Sequence, residues 1–307
     1  MSFESDLLID RRRLKRRLFF WRTLAVLAAF GCALLLLGPR LDRVGGPHLA
    51  RLSVTGLITE NRKLTEAVSA LAKDDSVRGL IVFVDSPGGS VAGGESLYGA
   101  IGRVAEQKPV VAVMGGTAAS AGYMVSLPAA RIFAREATLT GSIGVLLETG
   151  EISGLLSRVG ITADVITSGP LKGEPAFVRP LSPAGRDVLK GLVMDMYEQF
   201  VAMVATRRHM APEKVRDVAD GRAYTGRQAL ALGLVDAIGG EPEARSWLAE
   251  AKGIPETLPV RDVRVGGLAE RALADGLSTV LGDTLKSVLS QGLMLDEVRA
   301  LWQPSRL

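Results

Sequence analysis

Ser120 lies in MGGTAASAGYMVS, Met114 to Ser126, directly after the apolar run VVAVM. Ala119, Ala121 and Gly122 flank it, and such small neighbours let a substrate backbone reach the hydroxyl. The string approximates the G-x-S-x-G elbow, with alanine in place of the first glycine. A serine nucleophile needs a base to take its proton. Histidine, the usual base, is scarce here. His48 falls in a polar linker, and His209 follows Arg207-Arg208 at the end of a long helical pattern. Lysine is the alternative. Most of the nine lysines stand among charged residues, but Lys172 stands in TSGPLKGEP, a Gly/Pro-rich loop after an expected strand. A lysine amine in water is only ~0.04% neutral at pH 7. Making it a base near neutrality takes about 4.6 kcal/mol of bias against the charged form, which burial can supply. Glu174, two residues on, is the carboxylate that would undo this and has to point away.

A second cluster, DSPGGSV from Asp85 to Val91, follows the run GLIVFV. Gly88-Gly89 lets backbone approach a ligand, and the helix that follows aims its N–H groups at the same place. No GK[ST] follows, so this is not a phosphate-binding P-loop. Taken singly, each signal has a plainer reading. A serine at a helix start is more often a cap, a Gly-rich turn is more often structural, and a loop lysine is more often solvated.

These residues need elements to hold them. Apolar runs at 52–58, 79–84 and 109–114 have strand length, and 62–72, 91–106 and 120–128 have helical spacing. Shorter strand-like runs follow at 131–134, 143–147 and 162–167. The order predicts an α/β fold with a mostly parallel sheet and flanking helices. Ser182-Pro183 opens a long helix, as cap and first helical residue. Its stripe of Val188, Leu192, Met196, Phe200 and Met203 reads as core. Shorter helices are expected near 212–219 and 226–232, and an amphipathic helical stretch runs from Leu273 to Leu289.

Composition narrows the function. With 47% hydrophobic and 23% charged residues the chain is not disordered throughout. One cysteine and two histidines exclude an internal disulfide framework and argue against a zinc cluster. Residues 1–22 carry seven Lys/Arg against three Asp/Glu, and this +4 equals the charge of the whole chain. The basicity is therefore local, and no nucleic-acid partner is expected. Leu18 to Gly38, with Arg22 as its one charge, has 21 residues, or about 31 Å of helix, enough for a bilayer core. The basic flank places the N-terminus in the cytoplasm and the bulk of the chain outside it. Leu36-Leu37-Gly38-Pro39 is a poor cleavage site, so an uncleaved signal anchor is expected rather than a removed signal peptide. Cys32, followed by four leucines, is expected to be an inert thiol facing lipid.

SPGG, AASAGY, TGSIGV (Thr140–Val145), SGPLK and GRAYTGRQALALGLVD (Gly221–Asp236) occur in that order. On these five motifs the chain, from about residue 50 to 250, resembles the short form of the signal peptide peptidase A family. These are membrane-anchored Ser/Lys serine proteases on a Clp-protease/crotonase-like fold. The resemblance implies Ser120 as nucleophile, Lys172 as general base and Ser142 as the serine that orients the lysine. It also implies Gly89 and Ala121 as the oxyanion-hole amides. The family usually has glycine where Ala121 stands, and the added methyl narrows the approach without removing the N–H. No metal or cofactor is implied. Signal-peptide remnants and other extended peptides are the expected substrates, and a homo-oligomer with sites shared between neighbours the expected assembly. The implied location is the bacterial inner membrane, with the catalytic domain on the outer side.

The resulting layout is a basic cytoplasmic segment 1–17, an anchor 18–38, a linker 39–50, a peptidase domain 51–260 and a helical extension 261–307. Two other functions compete. A crotonase-type acyl-CoA enzyme would need an acidic pair and a CoA site, and would leave the anchor unexplained. A catalytically silent membrane scaffold would not need Ser120, Ser142 and Lys172 together.

Overall fold

The computed structural model describes residues 19–28, 46–263 and 300–301. The chain divides into two units, one of residues 1–46 and 266–293, the other of residues 47–265 and 294–307. In the first unit residues 19–28 form a helix, α1. No helix among the described residues is long and apolar enough to cross a membrane. Residue 18 and residues 29–38 of the expected anchor lie outside them, as do Cys32 and the stretch Leu273 to Leu289.

The second unit is a mixed, mostly parallel α/β sheet. Strands β1 (His48–Ile58), β2 (Val77–Gly89) and β3 (Val110–Ala119) form its centre. They pair in parallel, β1 on β2 and β2 on β3. β8 (Val260–Asp262) extends the sheet beyond β1. On the other side β3 forks. Its first half, Val111–Val113, pairs with β4 (Arg131–Ala134), and its second half, Thr117–Ala119, pairs with β5 (Leu139–Gly141). β6 (Ala223–Thr225) runs antiparallel on β5, and β7 (Ala237–Ile238) parallel on β4. β9 (Ala300–Leu301) lies antiparallel on the last two residues of β2, Gly88 and Gly89.

The apolar runs are continuous because both faces of the sheet are covered. Successive residues of one strand then serve opposite layers. Leu80, Val82, Val84, Ala112 and Met114 pack with α2 (Arg62–Ala70), α3 (Val91–Ala105), α4 (Ala121–Ser126) and the end of α6 (Pro183–Arg208). Their neighbours Ile81, Val111 and Val113 face a smaller layer built on Ala244 and Leu248 of the twelve-residue helix Glu241–Lys252. Between them fall α5 (Ser153–Arg158), α7 (Pro212–Val218) and α8 (Gly226–Ala231), so that the last helix among the described residues is α9.

Three expectations change. The runs 143–147 and 162–167 are not strands. Gly141 and Ser142, at φ 73° and 47°, turn the chain out of the sheet, and 161–168 is exposed throughout with no strand beside it. A short strand-like run makes a strand only where a ladder partner exists. The linker ends earlier than expected, since β1 already begins at His48. The α6 stripe is only partly core. Phe200 is buried, with Val201 and Val204, while Val188 and Leu192 are 46% and 54% exposed. The cap itself is as expected, with Ser182 Oγ accepting from Gly185 N–H at 2.9 Å.

Candidate active site

The site gathers where parallel strands end. Ala119 of β3 pairs with Gly141 of β5, so the next residues, Ser120 and Ser142, leave adjacent strand ends. Ser120 N–H still donates to Gly141 O at 2.9 Å, and Ser142 N–H donates to Arg222 O at 2.9 Å. Both serines have positive φ, 53° and 47°. That region costs an ordinary residue about 1–3 kcal/mol and persists only where the surroundings enforce it. At Ser120 the ladder bond before it and α4 after it, with Met124 N–H on Ser120 O at 2.9 Å, do the enforcing. Ser120 occupies the N-cap position of α4, yet its side chain makes no capping hydrogen bond. The plainer reading of Ser120 as a cap therefore fails. Its side chain is nearly buried and uncommitted, at 2% residue exposure.

The donors beside it come from two elements. Ala121 opens α4, and its N–H has no intrahelical acceptor. Gly88 and Gly89 close β2. Gly88 holds φ 121°, and Ser86 Oγ locks the turn by accepting from Gly88 N–H at 3.1 Å and donating to Gly88 O at 3.2 Å. Gly89 has no room for a side chain, because a Cβ there would fall 1.9 Å from Ile58 O. Ser86 was not singled out by the sequence reading. Its signal was its place inside DSPGG, whose glycines drew attention first.

A partly buried polar brace ties α4 to the chain around Leu234 and Asp236. Tyr123, fully buried, donates to Leu234 O at 2.8 Å. Burial pushes its phenol well above the ordinary range, so it stays a donor. Arg208 at the end of α6 forks onto Asp236 at 2.6 and 3.0 Å, and Asp236 also accepts from Ile132 N–H of β4 at 2.8 Å. Burial opposes the Arg208 charge, and the Asp236 carboxylate more than restores it. Asp236 lies in the last family-like motif and Arg208 in Arg207-Arg208-His209, where spacing shows no pairing.

Lys172 is elsewhere. It sits in the irregular segment 159–181, its side chain is exposed, and no hydrogen bond or ion pair joins it to Ser120 or Ser142. Within one chain Ser120, Ala121 and Ser142 thus lie at the adjacent ends of β3 and β5 and Gly89 closes β2, while Lys172 is exposed and bonded to neither serine. Neither histidine replaces it. His48 begins β1 at the opposite end of the sheet, and His209 caps the C-terminus of α6.

Residues 103–255 match peptidase family S49. A protein of Synechocystis sp., provisionally named a protease, is 41% identical over 207 residues, 67% of this chain and 75% of its own. The chain belongs to peptidase family S49. It is a serine peptidase of that family. A relative in Enterococcus faecium, provisionally named signal peptide peptidase SppA, is 32% identical over 222 residues, 68% of this chain and 64% of its own. Among solved structures a ClpP1 mutant from Listeria monocytogenes aligns with a TM-score of 0.41 at 19% identity, covering 67% of this chain and 96% of that one.

Proposed function

We propose that this S49 peptidase is a membrane-anchored endopeptidase that cuts short extended peptides, signal-peptide remnants among them, with Ser120 as nucleophile and Lys172 as base. The observation that carries the reading is Ser120 itself: buried, in strained backbone, capping nothing, at the end of β3 where α4 begins. The neutral Lys172 amine takes the Ser120 proton as Oγ attacks the peptide carbonyl carbon. The Gly89 and Ala121 N–H groups hold the oxyanion, each worth about 3–4 kcal/mol in such a site. The ammonium then protonates the leaving amine. Water, deprotonated by the amine, hydrolyses the acyl-serine. Ser142 orients the lysine in this scheme, and no cofactor enters it.

Two features support the substrate and the assembly. An extended segment, β9, pairs through its backbone with Gly88–Gly89, which is the way a peptide strand would lie beside Ser120. The segment carrying Lys172 exposes Ile161, Ile166, Leu171 and Phe177, α5 before it exposes Leu155, and Val188 and Leu192 of α6 are bare beside their own helix neighbours. That is more apolar surface than a lone protomer leaves in water without use. A second copy packed on this segment would remove water from Lys172 and deliver it to a neighbour's Ser120. The anchor at 18–38 would hold such rings at the outer face of a bacterial inner membrane.

The test mixes Ser120→Ala with Lys172→Ala, each inactive alone, under conditions that exchange subunits. Partial recovery of peptide hydrolysis is expected, because some interfaces then join an intact serine to an intact lysine. Verified mixed oligomers that stay inactive would overturn the shared site, and turnover by Lys172→Ala alone would overturn the base.

A further inference from the structure

The segment that carries Lys172 is pinned by a carboxylate that no step of the reaction uses. The Glu174 side chain is only 4% exposed, and Arg179 Nη1 lies 3.0 Å from its Oε1. Neither carboxylate oxygen accepts a hydrogen bond of good geometry. The group stands against the first turn of α6. A Cβ built at Gly185 would fall 2.7 Å from Glu174 Cδ and 3.0 Å from Oε2. That turn has no acidic side chain of its own, and a helix N-terminus favours a negative charge.

The chain between Lys172 and this clamp is short and itself tied. Lys172 N–H donates to Gly169 O at 3.1 Å, Glu174 N–H to Leu171 O at 3.4 Å, and Arg179 Nη2 to Gly173 O at 3.4 Å. Gly173, at φ 122°, makes the turn that sends Lys172 outward and Glu174 inward. Residues 161–168, just before, are exposed throughout. Burying a carboxylate is costly unless it is matched, and here the matching groups are Arg179 and the α6 terminus. The clamp also answers the threat noted in the sequence, since the carboxylate nearest in the chain to Lys172 is committed elsewhere.

We propose that Glu174, clamped between Arg179 and the first turn of α6 at Gly185, is a positioning residue that fixes the Lys172 segment for catalysis. The proposal rests on Lys172 being the base. It is tested on the full chain by measuring kcat and KM separately for a peptide substrate, with thermal melts to normalise for folded protein. Glu174→Gln should lower kcat at least tenfold with KM within threefold, because Ser120 and the Gly88–Gly89 edge are untouched. Glu174→Asp should recover part of the loss. Gly185→Ala changes no charge but displaces the carboxylate, and should reproduce the kcat loss. Combining it with Glu174→Ala should add nothing to Glu174→Ala alone, since the clashing group is gone. This pair keeps the proposal testable if Glu174→Gln fails to fold. Folded Glu174→Gln with kcat within twofold of the parent, or losses in Glu174→Ala and Gly185→Ala that simply add, would overturn the clamp. An inactive Lys172→Ala beside a normal Glu174→Gln would remove the clamp alone, whereas an active Lys172→Ala would remove both it and the dyad.

Discussion

One methyl group at Gly89 should separate the oxyanion geometry from the rest of the fold. In Gly89→Ala the new Cβ would sit 1.9 Å from Ile58 O and 2.6 Å from Ile58 N, where real Cβ contacts begin near 3.0 Å. Both partners are backbone in the β1–β2 ladder, so no side-chain rotation relieves the clash. The strands must part by about 1 Å at this register, which stretches the bond from Ser90 N–H to Ile58 O, now 2.8 Å. Overpacking of this kind costs about 1–3 kcal/mol, a fall of roughly 2–10 °C in melting temperature for a domain of this size. The chemical cost should be larger. An oxyanion donor moved by about 1 Å is nearly a lost donor, and such a loss lowers kcat about 10²–10³-fold. Steady-state kinetics on a peptide substrate, with melting curves of the same preparations, would show kcat collapse while the protein stays folded. A folded Gly89→Ala with kcat within threefold of the parent would refute the assignment of this amide to the oxyanion.

Other outcomes follow from the same geometry. The rate should rise with pH as the base loses its proton and stay high on the alkaline side, without the limb near ~6.5 of a histidine base; a plateau complete by about pH 6 would contradict a lysine. Arg208→Ala leaves the partly exposed Asp236 without its guanidinium and should cost about 1.5–3 kcal/mol, the range for a hydrogen bond to a charged group, read from chemical denaturation; a loss under about 1 kcal/mol would mean the brace is solvated. Removing residues 294–307 uncovers the Gly88–Gly89 edge and should lower KM for peptides while kcat holds; an unchanged KM would show that substrates do not use that edge. A C-terminal alkaline phosphatase fusion should be active in a bacterial host, whereas activity from a cytoplasmic reporter at the same position would invert the topology.

Much of this was legible before any coordinates. The central strands, the Ser182 cap and the α/β order follow from local apolar runs and cap chemistry, which act over a few residues. Ser120, Gly88 and Gly89 were marked by small-residue strings at strand ends, because close approach of backbone demands small residues. What only the tertiary structure decided is long-range. The fork of β3 sets Ser142 beside Ser120, though 22 positions separate them in the sequence. The ladder shows that Gly89 is glycine because Ile58 O leaves no room, which no pattern within DSPGG can reveal. The runs 143–147 and 162–167 read locally as short strands, yet strand formation depends on a partner that the chain does not place beside them. Glu174 read as a threat to Lys172 from two residues away, and the fold turned it inward to Arg179 and α6. Local patterns encode propensity and close-approach positions. Which strand ends meet, and which way a loop carboxylate points, depends on packing between segments far apart in the chain.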